Sequence, residues 1–191
     1  MVNIYDSPDY WCGEIGYRAP GYRDFCINTV KEIAILIHKP KSVLEIGCAY
    51  GYGVLRLNTV GVPTIGVDIS RLAISRSPTK MIVCASVVNL PFADKQFDLG
   101  FSSGMLEHIP VSKRKQAIKE IIRVCARGLI GVASTDDAEA KTGHDDTHAE
   151  LITLKEWQAL FPAQFEVVRD SEVSWRISAT NLVASGIENA S

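Results

Sequence analysis

An α/β fold, with a mostly parallel open sheet and helices on both of its faces, is the architecture this sequence predicts. Three observations predict it. From about residue 42 short apolar runs alternate with amphipathic runs, the pattern of parallel strands joined by right-handed crossover helices. One apolar run, Val43, Leu44 and Ile46, carries Glu45 and enters a glycine turn at Gly47, Gly51 and Gly53. A second, Ile65 and Val67, ends on the carboxylate of Asp68. An open parallel sheet binds an adenosine-type ligand at the carboxyl ends of its strands. There glycines let backbone approach the ligand, and a carboxylate roughly 20 residues on accepts hydrogen bonds from ribose hydroxyls.

The elements follow in order. Residues 1–20 are aromatic and glycine-rich and read as an ordered loop or short helix. Tyr22, Cys26, Val30, Ile33 and Ile37 recur at helical spacing, and Pro40 marks the stop. Strands are expected near 42–47, 63–67, 81–85, 97–102 and 128–134, with helices near 51–58, 70–76 and 112–126. The polar stretch from Thr135 to Glu150 lacks periodicity and reads as a long loop. Thr153 followed by Glu156 reads as a helix capping box. Gln164 to Arg169 and Ala179 to Ser185 read as two closing strands. The expected division is an N-terminal cap segment and helix over 1–40, one domain over 41–185, and a tail over 186–191.

Composition bounds the function. A chain of 191 residues holds one well-buried α/β domain. Its 47% hydrophobic and 22% charged residues are those of an ordinary globular protein. A net charge of −2 argues neither for a polyanion binder nor for an acidic tail. The five cysteines, Cys12, Cys26, Cys48, Cys84 and Cys125, form no C-x-x-C pair, so neither a zinc cluster nor a disulfide framework is expected. A reducing, cytoplasmic setting fits them best. The N-terminus has no basic-then-apolar signal pattern, and no apolar run approaches membrane-spanning length.

The turn itself separates two ligand classes. Its spacing, Gly47-x-x-x-Gly51-x-Gly53 with Arg56 beyond, departs from the G-x-G-x-x-G of dinucleotide binders. Glu45 is an awkward neighbour for a diphosphate and suits a ligand carrying an amine and a sulfonium. Glu45-x-Gly47-x-Ala49-x-Gly51-x-Gly53 resembles the first motif of class I S-adenosylmethionine-dependent methyltransferases. Asp68 after Gly66-Val67 resembles that family's ribose-binding acid. Leu90-Pro91-Phe92 through Phe97-Asp98 resembles the stretch leading to its fourth strand. Leu106-Glu107-His108 resembles the segment after that strand in small-molecule methyltransferases. The likeness covers about residues 40–185.

The resemblance implies a Rossmann-like sheet with one antiparallel strand near its C-terminal edge, S-adenosyl-L-methionine as cofactor, and methylation of an oxygen or nitrogen on a small-molecule acceptor. It places the cofactor on Glu45, Gly47, Ala49, Gly51, Asp68 and Ile69, the adenine edge on Ser86 and Val87, and the transfer site beside Ser102, Ser103 and Met105. There are departures. Ala49 replaces a common glycine, Ser86 stands where many members carry an acid, and Ala126-Arg127-Gly128 is a reduced Pro-Gly-Gly.

His108, just past the fourth strand, is a candidate base, since an imidazole titrates near neutrality; the alternative is a histidine bonded to backbone at a helix start. His148, in the Thr147-His148 pair, is a second candidate at the acceptor side, or simple loop structure. His144, Asp145 and Asp146 lie close to it, but no H-E-x-x-H pattern is present and no metal is expected. Trp11, Tyr17 and Arg18 either cover the cleft or pack the terminus. Lys115, Lys119, Arg123 and Arg127 form a basic stripe at i, i+4 spacing. A solvated face is its default reading, and nucleic acid is not the expected partner. The rival functions are RNA methylation, a binding module that transfers nothing, and a nucleotide-cofactor oxidoreductase. The sequence sets no oligomeric state.

Overall fold

The computed structural model describes residues 4–7, 40–136 and 148–170. The strands are β1 (Val43–Ile46), β2 (Thr64–Asp68), β3 (Ile82–Cys84), β4 (Phe97–Ser103), β5 (Cys125–Val132) and β6 (Phe165–Arg169). The helices are α1 (Tyr52–Thr59), α2 (Arg71–Ser75), α3 (Val111–Val124) and α4 (Leu154–Ala159), with 3-10 turns at Ile4–Asp6 and Leu106–His108. The strands make one sheet in the order β3-β2-β1-β4-β5-β6.

Alternation within the strands buries both faces. Leu44 and Ile46 of β1 join Ile118 and Ile121 of α3 and Trp157 of α4 in one core. Val43 points the other way, to Leu57 of α1 with Leu99, Phe101, Leu129 and Val168. A sheet covered on both sides needs near-continuous apolar strands, which is what β1, β4 and β5 supply. The helix ends have local causes. Ser70 caps α2 by accepting from the Ala73 N–H, and Thr153 with Glu156 forms the expected capping box on α4.

Every pairing among the described residues is parallel, and the expected antiparallel strand is not among them. The physical reason is the crossover: α4 returns the chain to the start of β6, so β6 runs alongside β5 in the same direction. The other closing strand expected, over 179–185, lies outside the described residues, as do the helix over 22–37 and the tail over 186–191.

β5 also begins earlier than expected. The backbone turns from helix to strand at Cys125 (φ −112°, ψ 140°) with no intervening loop. The Lys95 ammonium holds that junction, donating to the carbonyls of Ile122 at 2.6 Å and Cys125 at 2.9 Å. Gly128 is therefore a strand residue, and a side chain there would place its Cβ 2.4 Å from the Phe165 ring.

Half of the basic stripe is structural. Arg123 donates to the carboxylates of Glu120 and Asp94 and to the carbonyls of Leu90 and Phe92, fastening the segment before β4 onto α3. Arg127 pairs with Asp98 at 3.0 Å and holds that carboxyl below its ordinary range. Lys115 and Lys119 stay exposed. Among the described residues no helix is long and apolar enough to cross a membrane.

Gly128 gives a test in which the sign decides. Valine ordinarily improves a strand by up to ~1 kcal/mol over glycine. Here Gly128→Val is expected to destabilise by ~1–3 kcal/mol through overpacking against Phe165. Adding Phe165→Leu should recover part of the loss in urea unfolding.

Candidate active site

The strand order reverses between β1 and β4, so a crevice opens at their carboxyl ends. The turn after β1 lines it. Gly47 (φ 75°), Ala49 (φ 49°) and Gly51 (φ 74°) all take left-handed backbone. At Gly47 glycine is required twice over, because a Cβ would also lie 2.5 Å from Met105 Cγ. Ala49 adopts this conformation against its steric preference, at a cost of ~1 kcal/mol. Its N–H donates to Asp68 Oδ2 at 2.9 Å, and its side chain is buried with Tyr50 and Ala73. The N–H groups of Gly47 and Cys48 both donate to the Val67 carbonyl, at 2.8 and 3.2 Å. The glycine turn is thus tied to the end of β2.

Two acids dominate the electrostatics. Asp68 accepts the Ser70 N–H on Oδ1 at 2.8 Å and the Ala49 N–H on Oδ2. Burial raises its pKa, and the backbone donors Ser70, Ala49 and Ile69 oppose that rise. Glu45 is half-buried, and its Oε2 is buried with no hydrogen-bond partner among the described residues. Burial pushes its carboxyl up to about 8; the Val54 N–H opposes the shift and the Asp68 charge adds to it. The same burial and the two carboxylates drive the Cys48 thiol well above its ordinary range, which leaves it inert as a nucleophile. A buried carboxyl oxygen without a partner, next to a second acid, is the complement of a cation or a hydroxyl donor.

The other expected residues divide. Ile69 stands 43% exposed beside Asp68. Ser86 follows β3 half-buried, whereas Val87 packs into the main core, so its side chain is structural. Ser102 is fully buried. Ser103 Oγ donates to Asp170 Oδ1 at 2.5 Å, so the carboxyl group just beyond β6 holds this hydroxyl. His108 and His148 come together, with ring centroids 4.8 Å apart, and Tyr5 meets His108 edge-on at 6.3 Å.

Tyr5 arrives with the first 3-10 turn. Asp6 Oδ1 accepts the Arg71 N–H at 2.8 Å, and Ser70 Oγ donates to the Tyr5 carbonyl. That turn therefore reaches from the end of β2 to the turn beyond β4. Trp11, Tyr17, Arg18, His144, Asp145 and Asp146 lie outside the described residues. Among the described residues no cluster of three or more His, Cys, Asp or Glu is placed to hold a metal ion.

Glu107 entered only as part of the Leu106-Glu107-His108 motif, and Tyr5, Asp6, Arg114 and Asp170 were not legible as site residues. Only Arg114 carried a signal: it shares the inward helical stripe of Ala117, Ile118, Ile121 and Val124, where a charge is out of place.

Residues 44–131 match the family model described as "Methyltransferase domain". An uncharacterized protein of Methanocaldococcus jannaschii is 31% identical over 145 residues, 71% of this chain and 63% of that protein. A probable tRNA methyltransferase 9B of Mus musculus is 37% identical over 47% of this chain and 21% of its own length. A probable chloroplastic tocopherol O-methyltransferase of Oryza sativa subsp. japonica is 32% identical over 47% of this chain and 27% of its own length. The chain thus spans less than two thirds of each of these relatives. The crystal structure of a SAM-dependent methyltransferase from Archaeoglobus fulgidus superposes with a TM-score of 0.66 at 18% identity, over 77% of this chain and 69% of that one.

Glu45 yields a pH prediction. Its folded pKa of about 8 lies above the ordinary 4.5, so the folded state holds a proton that the unfolded chain has lost between those values. Stability then falls as pH rises from about 4.5 through 8. Glu45→Gln is expected to match the parent near the lower value and to exceed it above the upper one, by up to ~5 kcal/mol. Urea unfolding across that range checks it.

Proposed function

We propose that this chain, whose residues 44–131 match a methyltransferase-domain model and whose fold superposes on a SAM-dependent methyltransferase, is a class I S-adenosylmethionine-dependent methyltransferase that transfers a methyl group to an oxygen or nitrogen of a small-molecule acceptor. One observation carries the cofactor reading: the unpartnered, buried Glu45 Oε2 beside the Asp68 carboxylate. S-adenosylmethionine carries an ammonium and a sulfonium that answer Glu45, and ribose hydroxyls that answer Asp68, so the residues present fit it. When bound, it supplies an electrophilic methyl group.

The chain's own residues then have distinct tasks. Glu45 holds the cationic end of the cofactor. Asp68 accepts the Ala49 and Ser70 N–H groups, and a carboxylate has about four acceptor sites, which leaves capacity for ribose hydroxyls. The left-handed turn at Gly47, Ala49 and Gly51 brings backbone close, and Ile69 with Ser86 borders the adenine. Alignment of donor and acceptor supplies ~7–11 kcal/mol of the barrier. His108 or His148 takes the proton of an oxygen nucleophile, an assistance of ~10²–10⁴-fold. The 3-10 turn at Ile4–Asp6 borders the crevice, with Tyr5 against His108 and Asp6 accepting the Arg71 N–H.

RNA methylation is the second reading, since one relative is named for tRNA. The small-molecule reading is favoured because Arg123 and Arg127 of the basic stripe are engaged with Glu120, Asp94 and Asp98. The free thiols of Cys48, Cys84 and Cys125 support a reducing, cytoplasmic setting.

Calorimetry tests the proposal. The chain is expected to bind S-adenosylmethionine and its demethylated product, with Asp68→Ala weakening both ~10–100-fold while circular dichroism stays unchanged. Unaltered affinity in that variant, or no binding by the parent, would overturn it.

A further inference from the structure

We propose that Arg114 is a positioning residue for the His108–His148 pair. It acts through Glu107 and the backbone of residues 149–150 to seat the segment bearing His148 against the turn bearing His108. The use made of the pair rests on the methyl-transfer reading; the positioning does not.

Arg114 occupies a core position of α3 and is only 5% exposed. A guanidinium keeps its charge even when burial lowers its pKa, as it does here, so it must be answered by acceptors and π-faces. Its Nη2 donates to the Glu150 carbonyl at 2.9 Å, and its Cζ lies 4.6 Å from the centroid of the Trp157 ring. The carboxylates of Glu150 and Glu107 face its charge.

Glu107, 2% exposed, links the remaining parts. Its Oε1 accepts the Ala133 N–H at 2.9 Å, and its backbone carbonyl accepts the Ala149 N–H at 2.9 Å. Trp157 Nε1 donates to the Ala133 carbonyl at 3.1 Å, so Ala133, just past β5, is held at both its N–H and its C=O. Arg114, Glu107 and Trp157 together fasten the end of β5, the turn after β4 and the 149–150 backbone.

The consequence for the histidines follows from chain adjacency. His108 directly follows Glu107 and His148 directly precedes Ala149, so each imidazole sits one residue from the Ala149 N–H to Glu107 carbonyl bond. That bond sets the approach of the two rings, and Arg114 secures it from the far side by holding Glu150. A methionine at position 114 would fill the space but leave the buried Glu107 carboxylate without its facing cation, and removing one partner of a buried charge pair destabilises. What the cation adds is a fixed position for the backbone it grips.

The test is made on the full chain by NMR, with ring signals assigned through His108→Gln and His148→Gln. The parent should show a through-space contact between the two imidazoles. Arg114→Met should lose that contact, while its affinity for S-adenosylhomocysteine stays near the parent's. Arg114→Lys should restore the contact in part. A folded Arg114→Met with the contact intact overturns the proposal; should that variant fail to fold, an Arg114→Lys indistinguishable from the parent does so. A parent with the contact but no affinity for S-adenosylhomocysteine would overturn the methyl-transfer reading alone.

Discussion

Glu45 and Asp68 leave neighbouring parallel strands at the same end of the sheet, and burial opposes charging both. The rest of the crevice is arranged around that pair. Asp68 spends part of its acceptor capacity on the N–H groups of Ala49 and Ser70, tying together the turns that follow β1 and β2. Ser70 in turn caps α2 and reaches the Tyr5 carbonyl. Glu45 keeps a buried oxygen without such a partner. At the opposite end of the sheet the equivalent problem is solved internally: Asp98, at the start of β4, takes the Arg127 guanidinium and the Lys41 N–H. One end of the sheet neutralises its acid, and the other leaves its acids for a ligand.

The sheet was legible because periodicity reports burial directly. β1 through β4, α1, α2 and α3 lie within a few residues of where apolar spacing puts them, and Thr153 with Glu156 marks α4 by local hydrogen bonding alone. The start of β5 was not legible. Apolar spacing starts the strand at Gly128, three residues late, and that glycine's small size serves a packing need set by Phe165, 37 positions away in the chain. The direction of β6 was equally hidden, since strand polarity depends on where α4 returns the chain, a property of the crossover and not of Phe165–Arg169 itself.

Half of the site could be read from its residues. Glu45, Gly47, Gly51 and Asp68 lie at strand ends, where local sequence alone sets their position, and His108 sits next to one such end. Asp170, Tyr5 and Arg114 enter through long-range contacts: Asp170 reaches Ser103, Tyr5 reaches His108, and Arg114 grips Glu150. No spacing rule announces these. The basic stripe shows the converse error, in which a regular charge pattern on α3 conceals that Arg123 is fastened to Glu120, Asp94 and the carbonyls of Leu90 and Phe92.

The central claim, that a protonated Glu45 awaits a cationic guest, is tested most directly by counting protons. Titration calorimetry with S-adenosylmethionine at pH 7, repeated in buffers of different ionisation enthalpy, measures how many protons binding releases. A carboxyl of pKa about 8 is mostly protonated there, and a bound cation stabilises its charged form, so the account predicts release of close to one proton. Binding with no proton exchanged would contradict it.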